Sequence, residues 1–346
     1  MSSDQLYMFR ALQLAKTGLA NAMPNPSVGA VIVHKDTIIG EGYTSAFGGS
    51  HAEVSAINSV KNKELLKEST IYVTLEPCSH HGKTPPCANL IVEKKIPKVV
   101  IGCVDPFAKV AGKGIQILKD NGIEVITGVL EKGCQQSHKR FFTFHLKKRP
   151  YIILKWAQSA DGFIAPIEKD EHKPVWLSNA YSRQLTHKWR SEEMAILVGK
   201  QTVLDDNPSL TTRDWKGKNP VRLFMDAQNE IDDSYHILND EAPTYRFSKI
   251  KKSEKDVVIP FENIIQEISD FCFEQNLQSV IIEGGRQTLQ SFIDAGIWDE
   301  ARVFKTSVIL NKGISVPKLM DFQKTKAVII ENDCLCFYYL TTDYTN

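Results

Sequence analysis

One histidine, one carboxylate and two cysteines stand out by type and spacing. His51-Ala52-Glu53 is followed by Pro77-Cys78 and, after the eight residues 79–86, by Cys87, which Pro85-Pro86 precedes. Imidazole and thiolate are the ligands Zn²⁺ prefers, and three protein ligands leave a fourth position open for water. Zinc brings the pKa of such a water near neutrality, so hydroxide is available at physiological pH. A carboxylate two residues from the histidine can stand beside that water without binding the ion. His51, Cys78 and Cys87 therefore read as metal ligands and Glu53 as a proton shuttle. The chemistry this allows is hydrolytic deamination of an amino-substituted heterocycle.

Taken singly, these residues would be a packing histidine and small buried thiols. Their placement argues otherwise. The histidine opens a helix over residues 52–59, Cys78 follows a β-branched strand over 70–75, and Cys87 follows a Pro-Pro that starts a helix over 88–95. A structural zinc would want four protein ligands. The available fourth donors, His80 and His81, sit in the polar loop between the cysteines, and Cys103 and Cys134 read as packing residues. An open, catalytic site is the better reading. The pattern approaches the zinc-deaminase signature H-x-E then P-C-x-x-C, but eight residues separate the cysteines instead of two.

The surrounding pattern alternates. A helix over 4–17, with Asp4 as its cap, precedes strands over 28–33 and 37–43. Strands over 98–103 and 124–128 alternate with helices over 115–121 and 131–142. Such alternation implies a three-layer α/β/α domain. Lys147-Lys148-Arg149-Pro150 is charged and proline-ended, which places a boundary there and gives domains 1–148 and 149–346. A second alternation follows. Its strands are read over 151–155, 195–198, 221–226, 244–247, 279–282, 301–308, 327–331 and 334–340, and its helices over 179–190, 262–275 and 286–295.

Composition bounds the function. At 346 residues, two domains are favoured over one. A net charge of +1 with no basic half argues against a nucleic-acid partner. No apolar run approaches a membrane span and the mixed-charge N-terminus is not a signal peptide. Seven scattered cysteines fit a reduced, cytoplasmic protein better than a disulfide scaffold.

HAEVSAI and TLEPCSHHGKTPPC, with MPNPSVGAVIV upstream and DPFAKVAGKGI downstream, resemble the bifunctional riboflavin-biosynthesis deaminase/reductase family. KWAQSADGFIA, LVGKQTVLDDNPSLTTR and VIIEGGRQTL extend the resemblance through the second half. It implies a cytidine-deaminase-like domain followed by a dihydrofolate-reductase-like domain. It also implies two reactions: deamination of 2,5-diamino-6-ribosylamino-4(3H)-pyrimidinone 5′-phosphate, then reduction of the ribosyl chain to ribityl with NADPH. A homodimer is the implied assembly. By motif position, His51, Cys78 and Cys87 carry over as zinc ligands and Glu53 as proton donor, with Asn25 and Lys83 as substrate contacts.

In the second half the residues alone say less. Gly284-Gly285 between strand and helix lets backbone approach a phosphate, though a tight turn explains it equally well. No G-x-G-x-x-G is present. Asp205-Asp206-Asn207-Pro208 reads as a polar turn. The resemblance assigns cofactor contacts to Ala157, Trp176, Thr202, Asp206 and Ala227. It assigns the cofactor phosphates to Gly285, Arg286, Gln287, Thr288, Leu289, Gln290 and Ser291. Substrate contacts would be Arg190, Leu210, Arg213 and Glu283, with Arg213 on the phosphate. Lys155, at the end of the first strand, would assist proton handling, and Asp206 is placed beside the cofactor chemistry. Arg286 is a candidate for the NADPH 2′-phosphate. Between Ala165 and Trp176 the sequence PIEKDEHKPVW departs from the family's Gly-Glu-Ser segment. Two other readings compete: a nucleic-acid base deaminase, which the balanced charge disfavours, and a zinc-stabilised binding module.

Overall fold

The computed structural model describes residues 1–79, 85–106, 111–168 and 175–341, with the side chain of Thr325 excepted. Lys83, His80 and His81 lie outside the described residues, as does most of the segment that departs from the family before Trp176. The chain divides into two compact units, Met1–Lys148 and Arg149–Asn346.

The first unit begins with helix α1 (Ser3–Ala22). Its cap is Ser2 and not Asp4. The Ser2 side chain accepts from Gln5 N–H while the Gln5 side chain accepts from Ser2 N–H, a reciprocal box that places the cap two residues earlier and the first helical residue one earlier. The helix runs five residues past the expected 17 and stops at Met23, which Pro24 forces out of helical geometry. Strands β1 (Gly29–His34) and β2 (Thr37–Tyr43) form a hairpin. Then come α2 (Ala52–Ser59), β3 (Thr70–Leu75), α3 (Cys87–Glu93), β4 (Lys98–Cys103), α4 (Lys113–Asp120) and β5 (Glu124–Thr127). The sheet order is β2-β1-β3-β4-β5, with β3, β4 and β5 parallel and β1 antiparallel to both neighbours. β3 is buried on both faces after its first residue, as its apolar and β-branched sequence requires. The single helix expected over 131–142 is two, α5 (Glu131–Ser137) and α6 (Lys139–Lys147), which meet at a non-helical His138. That imidazole is buried with Nε2 3.1 Å from Thr74 Oγ1, a tertiary contact that interrupts the helix.

Glycines set how closely α2 approaches the sheet. A Cβ on Gly42 of β2 would lie 2.3 Å from Ala56 N and 2.5 Å from Ala52 O. The alternating Gly40-Glu41-Gly42 therefore lets the helix that begins beside His51 seat directly on strand backbone.

The second unit opens with β6 (Tyr151–Gln158), three residues longer than expected because β13 pairs with it as far as Gln158. Lys155 is thus mid-strand and not at a strand end. There follow β7 (Phe163–Ala165), α7 (Ala180–Glu192), β8 (Ala195–Gly199), α8 (Lys200–Asp206), β9 (Val221–Met225), β10 (Thr244–Ser248), β11 (Asp256–Val258) and α9 (Ile264–Glu274). β12 (Ser279–Glu283), α10 (Arg286–Asp294), β13 (Glu300–Lys305), β14 (Ile314–Ser315), β15 (Phe322–Ile330) and β16 (Asp333–Leu340) complete it. The large sheet runs β11-β10-β9-β8-β12-β6-β13-β16-β15, parallel through β13 and antiparallel beyond. Asp205 and Asp206, expected in a turn, are the last two residues of α8. The turn begins at Asn207, with φ +40°. β7, β11 and β14 were not anticipated: at two or three residues each, they exist only through a paired neighbour. Among the described residues no helix is long and apolar enough to cross a membrane.

Candidate functional site

In the first unit the three candidate metal ligands come from separate stretches of chain. His51 is the N-cap of α2, and its ring makes no capping bond, which leaves the imidazole free to turn away from the helix. Cys87 is the first residue of α3, and Cys78 lies in the segment between β3 and α3. Cys87 N–H donates to Cys78 Sγ at 3.3 Å, and Ala88 N–H to Cys78 O at 3.2 Å. The start of α3 therefore fixes the loop that carries the other thiol.

The donor atoms of His51, Cys78 and Cys87 lie within 4.8 Å of one another. His51 Nδ1 is 3.6 Å from Cys78 Sγ and 3.3 Å from Cys87 Sγ. Tetrahedral zinc with ordinary Zn–S and Zn–N bonds separates sulfur from nitrogen by about 3.5 Å. The observed spacings fit that ion without rearrangement. Nδ1 is the nitrogen that faces the thiols.

Electrostatics agree. Cys87 S–H bonding holds the Cys78 thiol well below its usual range, with His51 assisting against burial. Its partner Cys87 is pushed up, first by that same bond and then by burial. Hydrogen bonding to Cys78 raises His51 to about 8. Glu53, 4% exposed in the first turn of α2, is pushed up to about 7, chiefly by burial and then by the Cys78 charge. Cys87 bonds its carboxylate. A carboxyl near 7 can both take and return a proton at neutral pH. Asn25 is half-buried after the cis Met23–Pro24 bond, and its N–H donates to Ala22 O. One residue missed from sequence is Glu76, a buried carboxylate that accepts from four backbone N–H groups. The available signal was a charged residue directly after a strand of β-branched and apolar residues.

In the second unit the expected residues fall into one connected group and several separate positions. Lys155 and Glu283 are register partners on adjacent strands β6 and β12. Lys155 Nζ is 3.7 Å from Glu283 Oε2, and Arg190 Nη2 of α7 is 2.9 Å from the same oxygen. Burial alone would raise Glu283, but Arg190 and Lys155 outweigh it and hold the carboxyl near 2. Burial lowers Lys155, against the pull of Glu283. Arg190 Nη1 also donates to Thr211 O, which ties this group to the 210–213 segment. Leu210 is buried there at φ +54°, and Arg213 is exposed. His187, which sequence reasoning missed, lies under that segment with Nδ1 3.0 Å from Thr211 O and 3.2 Å from Arg213 N.

The start of α10 forms a second cluster. Gly285 N–H donates to Thr202 Oγ1 of α8 at 3.1 Å, and Gly285, Arg286 and Gln287 are exposed. A Cβ on Gly285 would meet nothing nearer than Thr202 Oγ1 at 3.9 Å, so a ligand can approach the backbone. The first N–H groups of a helix lack intrahelical acceptors and suit a phosphate. Beyond that turn the side chains are already engaged. Thr288 and Leu289 are buried, Gln290 bonds Asp294 and Lys318, and Ser291 bonds Gln287 O. Ala157 is half-buried on β6, Ala227 is half-buried with its carbonyl accepting from Lys249 N–H, and Asp206 is half-buried at the end of α8. Trp176 is exposed and carries the Arg183 guanidinium 5.0 Å above its ring.

Comparison with known proteins gives both halves a family. Residues 1–103 match the cytidine and deoxycytidylate deaminase zinc-binding region, and residues 150–335 match the RibD C-terminal domain. The chain is 38% identical to the riboflavin biosynthesis protein RibD of Aquifex aeolicus, covering 91% of this chain and 90% of that one. It is 37% identical to RibD of Bacillus amyloliquefaciens, covering 94% and 91%. Among solved structures it is similar to the diaminohydroxyphosphoribosylaminopyrimidine deaminase/5-amino-6-(5-phosphoribosylamino)uracil reductase of Thermotoga maritima. There the TM-score is 0.89 at 35% identity, over 98% of this chain and 99% of that one. Acinetobacter baumannii RibD follows at TM-score 0.87 and 30% identity, over 97% and 98%.

Proposed function

This chain belongs to the RibD family of riboflavin biosynthesis proteins and joins a deaminase to a reductase; on that premise we propose that its residues divide two successive reactions. The first unit removes the 2-amino group of 2,5-diamino-6-ribosylamino-4(3H)-pyrimidinone 5′-phosphate. The second reduces the ribosyl chain of the resulting aminouracil to ribityl with NADPH. The observation that carries the reading is the convergence of His51, Cys78 and Cys87 within 4.8 Å, with a buried carboxylate two residues along.

His51 Nδ1 and the two thiolates hold zinc. Bound there, the ion supplies a Lewis acid that brings water to a neutral pKa. Glu53 takes one proton from the attacking water at a carboxylate oxygen and passes it to the ring nitrogen; it then takes the remaining hydroxyl proton as the carbonyl forms and delivers it to the amine, whose C–N bond breaks to release ammonia. Burial, which places Glu53 near 7, suits both directions of transfer. Asn25 and Lys83 orient the substrate.

In the second unit the exposed turn at 285–287 receives the cofactor phosphates, with Thr202 Oγ1 bracing it by accepting from Gly285 N–H. Ala157, Trp176, Asp206 and Ala227 border the rest of the cofactor. NADPH supplies the hydride that reduces C1′ of the ring-opened ribosylamine. Arg213 pairs with the substrate phosphate, for which its planar fork is suited. Lys155, held by Glu283, protonates the substrate nitrogen side, while Arg190 orients Glu283. A homodimer in the cytoplasm completes the reading, and seven unpaired cysteines accord with a reducing compartment.

A paired assay tests it. The diaminopyrimidinone ribosyl phosphate is supplied with and without NADPH, while ammonia and nicotinamide absorbance are followed. Ammonia without NADPH, and NADPH loss only after deamination, are expected. No ammonia from zinc-replete protein would return the metal site to a structural role. Ammonia with no NADPH loss would remove the reductase assignment.

A further inference from the structure

Among the described residues Glu76 accepts four backbone hydrogen bonds close to the candidate metal site without being one of its three donors. It lies two residues before Cys78, and its side chain is 4% exposed. Oε1 accepts from Gly114 N–H at 2.9 Å and Ile115 N–H at 3.2 Å. Oε2 accepts from Gly112 N–H at 3.0 Å and Asp105 N–H at 3.3 Å. Gly112 is the N-cap of α4, so three of these donors belong to groups a helix cannot satisfy itself. The fourth, Asp105, lies just past β4. Glu76 N–H in turn donates to Cys103 O at the end of β4. One carboxylate thus locks together the exit of β3, the exit of β4 and the start of α4.

The consequence reaches the metal through Pro77. A Cβ on Gly114 would stand 2.0 Å from Pro77 O, so the start of α4 is seated directly on the peptide that leads into Cys78. The α4 terminus therefore acts as a stop behind the Pro77-Cys78 segment, and Glu76 holds that stop in place. From the other side, Cys87 and Ala88 N–H grip Cys78 Sγ and O. Cys78 lies in a segment outside any helix or strand, between these two anchors.

We propose that Glu76 is a positioning residue for the zinc thiolate Cys78, acting through α4 and Pro77. The proposal rests on the deaminase reading of the first unit. Groups outside the ligand set that orient a metal ligand are worth about 10- to 100-fold in metal affinity or activity. Glu76→Gln keeps the shape but turns one oxygen into an NH₂ that faces two backbone donors. Gly114→Ala disturbs the same stop while keeping the charged carboxylate, its Cβ falling 2.0 Å from Pro77 O and 3.2 Å from Glu76 Oε1.

The test uses the full chain, whose second unit serves as an internal control. Zinc affinity is read by competition with a chromophoric chelator, and Cys78 coordination by the visible bands of the Co²⁺-substituted protein. Deaminase kcat and KM are measured at saturating zinc alongside reductase turnover. Both variants are expected to bind zinc about 10-fold or more weakly, to shift the Co²⁺–thiolate bands and to lower kcat more than KM. Reductase turnover stays as in the parent. Parental affinity and Co²⁺ bands in Glu76→Gln would overturn the proposal. So would loss of reductase turnover in step with the deaminase, which marks a general scaffold group. If the parent chain binds zinc but releases no ammonia, the deaminase reading fails, while the affinity and Co²⁺ measurements still decide the role of Glu76.

Discussion

The two sites are built on different plans. In the first unit the chemistry is concentrated in side chains: three donors and one carboxylate from short segments, all converging on one point. In the second it is distributed. A mid-strand lysine, a strand-end glutamate and a helix arginine share one buried group, and a separate helix start at Gly285 is exposed and braced by Thr202. Side-chain ligands must be particular residue types, whereas a backbone N–H can be offered by almost any sequence. That difference explains why one half declares its reaction and the other needs its fold to do so.

The sharpest test of this contrast is Cys78→Ser. It is expected to release zinc and abolish ammonia production while leaving NADPH oxidation on the deaminated substrate unchanged; metal analysis and the two assays read it. Coupled loss of both activities would break the picture of separate plans. Glu53→Gln comes next. Zinc content should hold while deaminase kcat falls by about 10²- to 10⁴-fold, the usual worth of a positioned acid–base group. For the second unit, Glu283→Gln leaves Arg190 and Lys155 without their carboxylate. Reductase turnover should drop at least 10-fold, and unfolding of that unit should ease by about 3 kcal/mol, as when one member of a buried ion pair is removed. Deaminase turnover is the control.

Smaller effects come from pH. Burial depresses His138 to about 4 from 6.5. The unfolded chain therefore takes up a proton that the folded one refuses as pH falls below 6.5. The first unit should lose roughly 3 kcal/mol between pH 6.5 and 4, and His138→Phe should flatten the slope. Glu283 has the opposite kind of displacement, a carboxyl held near 2 against 4.5. Its contribution is present above 4.5 and is lost only as pH falls toward 2. His187 in the second unit is likewise depressed to about 4, chiefly by burial, so denaturant titrations across pH 4–7 should weaken both units, and His138→Phe should flatten the slope of the first unit alone; an unchanged slope there would count against the His138 assignment.

Much of the fold was legible because periodicity survives in short windows. β3, α2 and β4 match their expected bounds, since apolar runs and the helix-starting His51 are local signals. The α/β class of both units followed from alternation. Boundaries set by pairing were not legible. β6 extends to Gln158 because β13 is beside it, and β7, β11 and β14 have no local pattern to announce them. The break at His138 depends on Thr74, sixty-four residues away. Of the candidate site, the clustering His51, Cys78 and Cys87 and the nearby Glu53 could be picked out from residue type and spacing, but Glu76 and His187 could not, because their partners are backbone groups distant in sequence.

What the sequence by itself determined is chemical identity: which atoms could hold zinc, which could move a proton, and where helices and strands begin to carry them. Those properties belong to single residues and to neighbours within a few positions. Only the tertiary structure decided distance and environment. It brought three donors within 4.8 Å, buried Glu53 until its carboxyl rose to about 7, and set Glu283 against two cations that hold it near 2. Burial and charge pairing are sums over everything that packs nearby, and no stretch of sequence contains that sum.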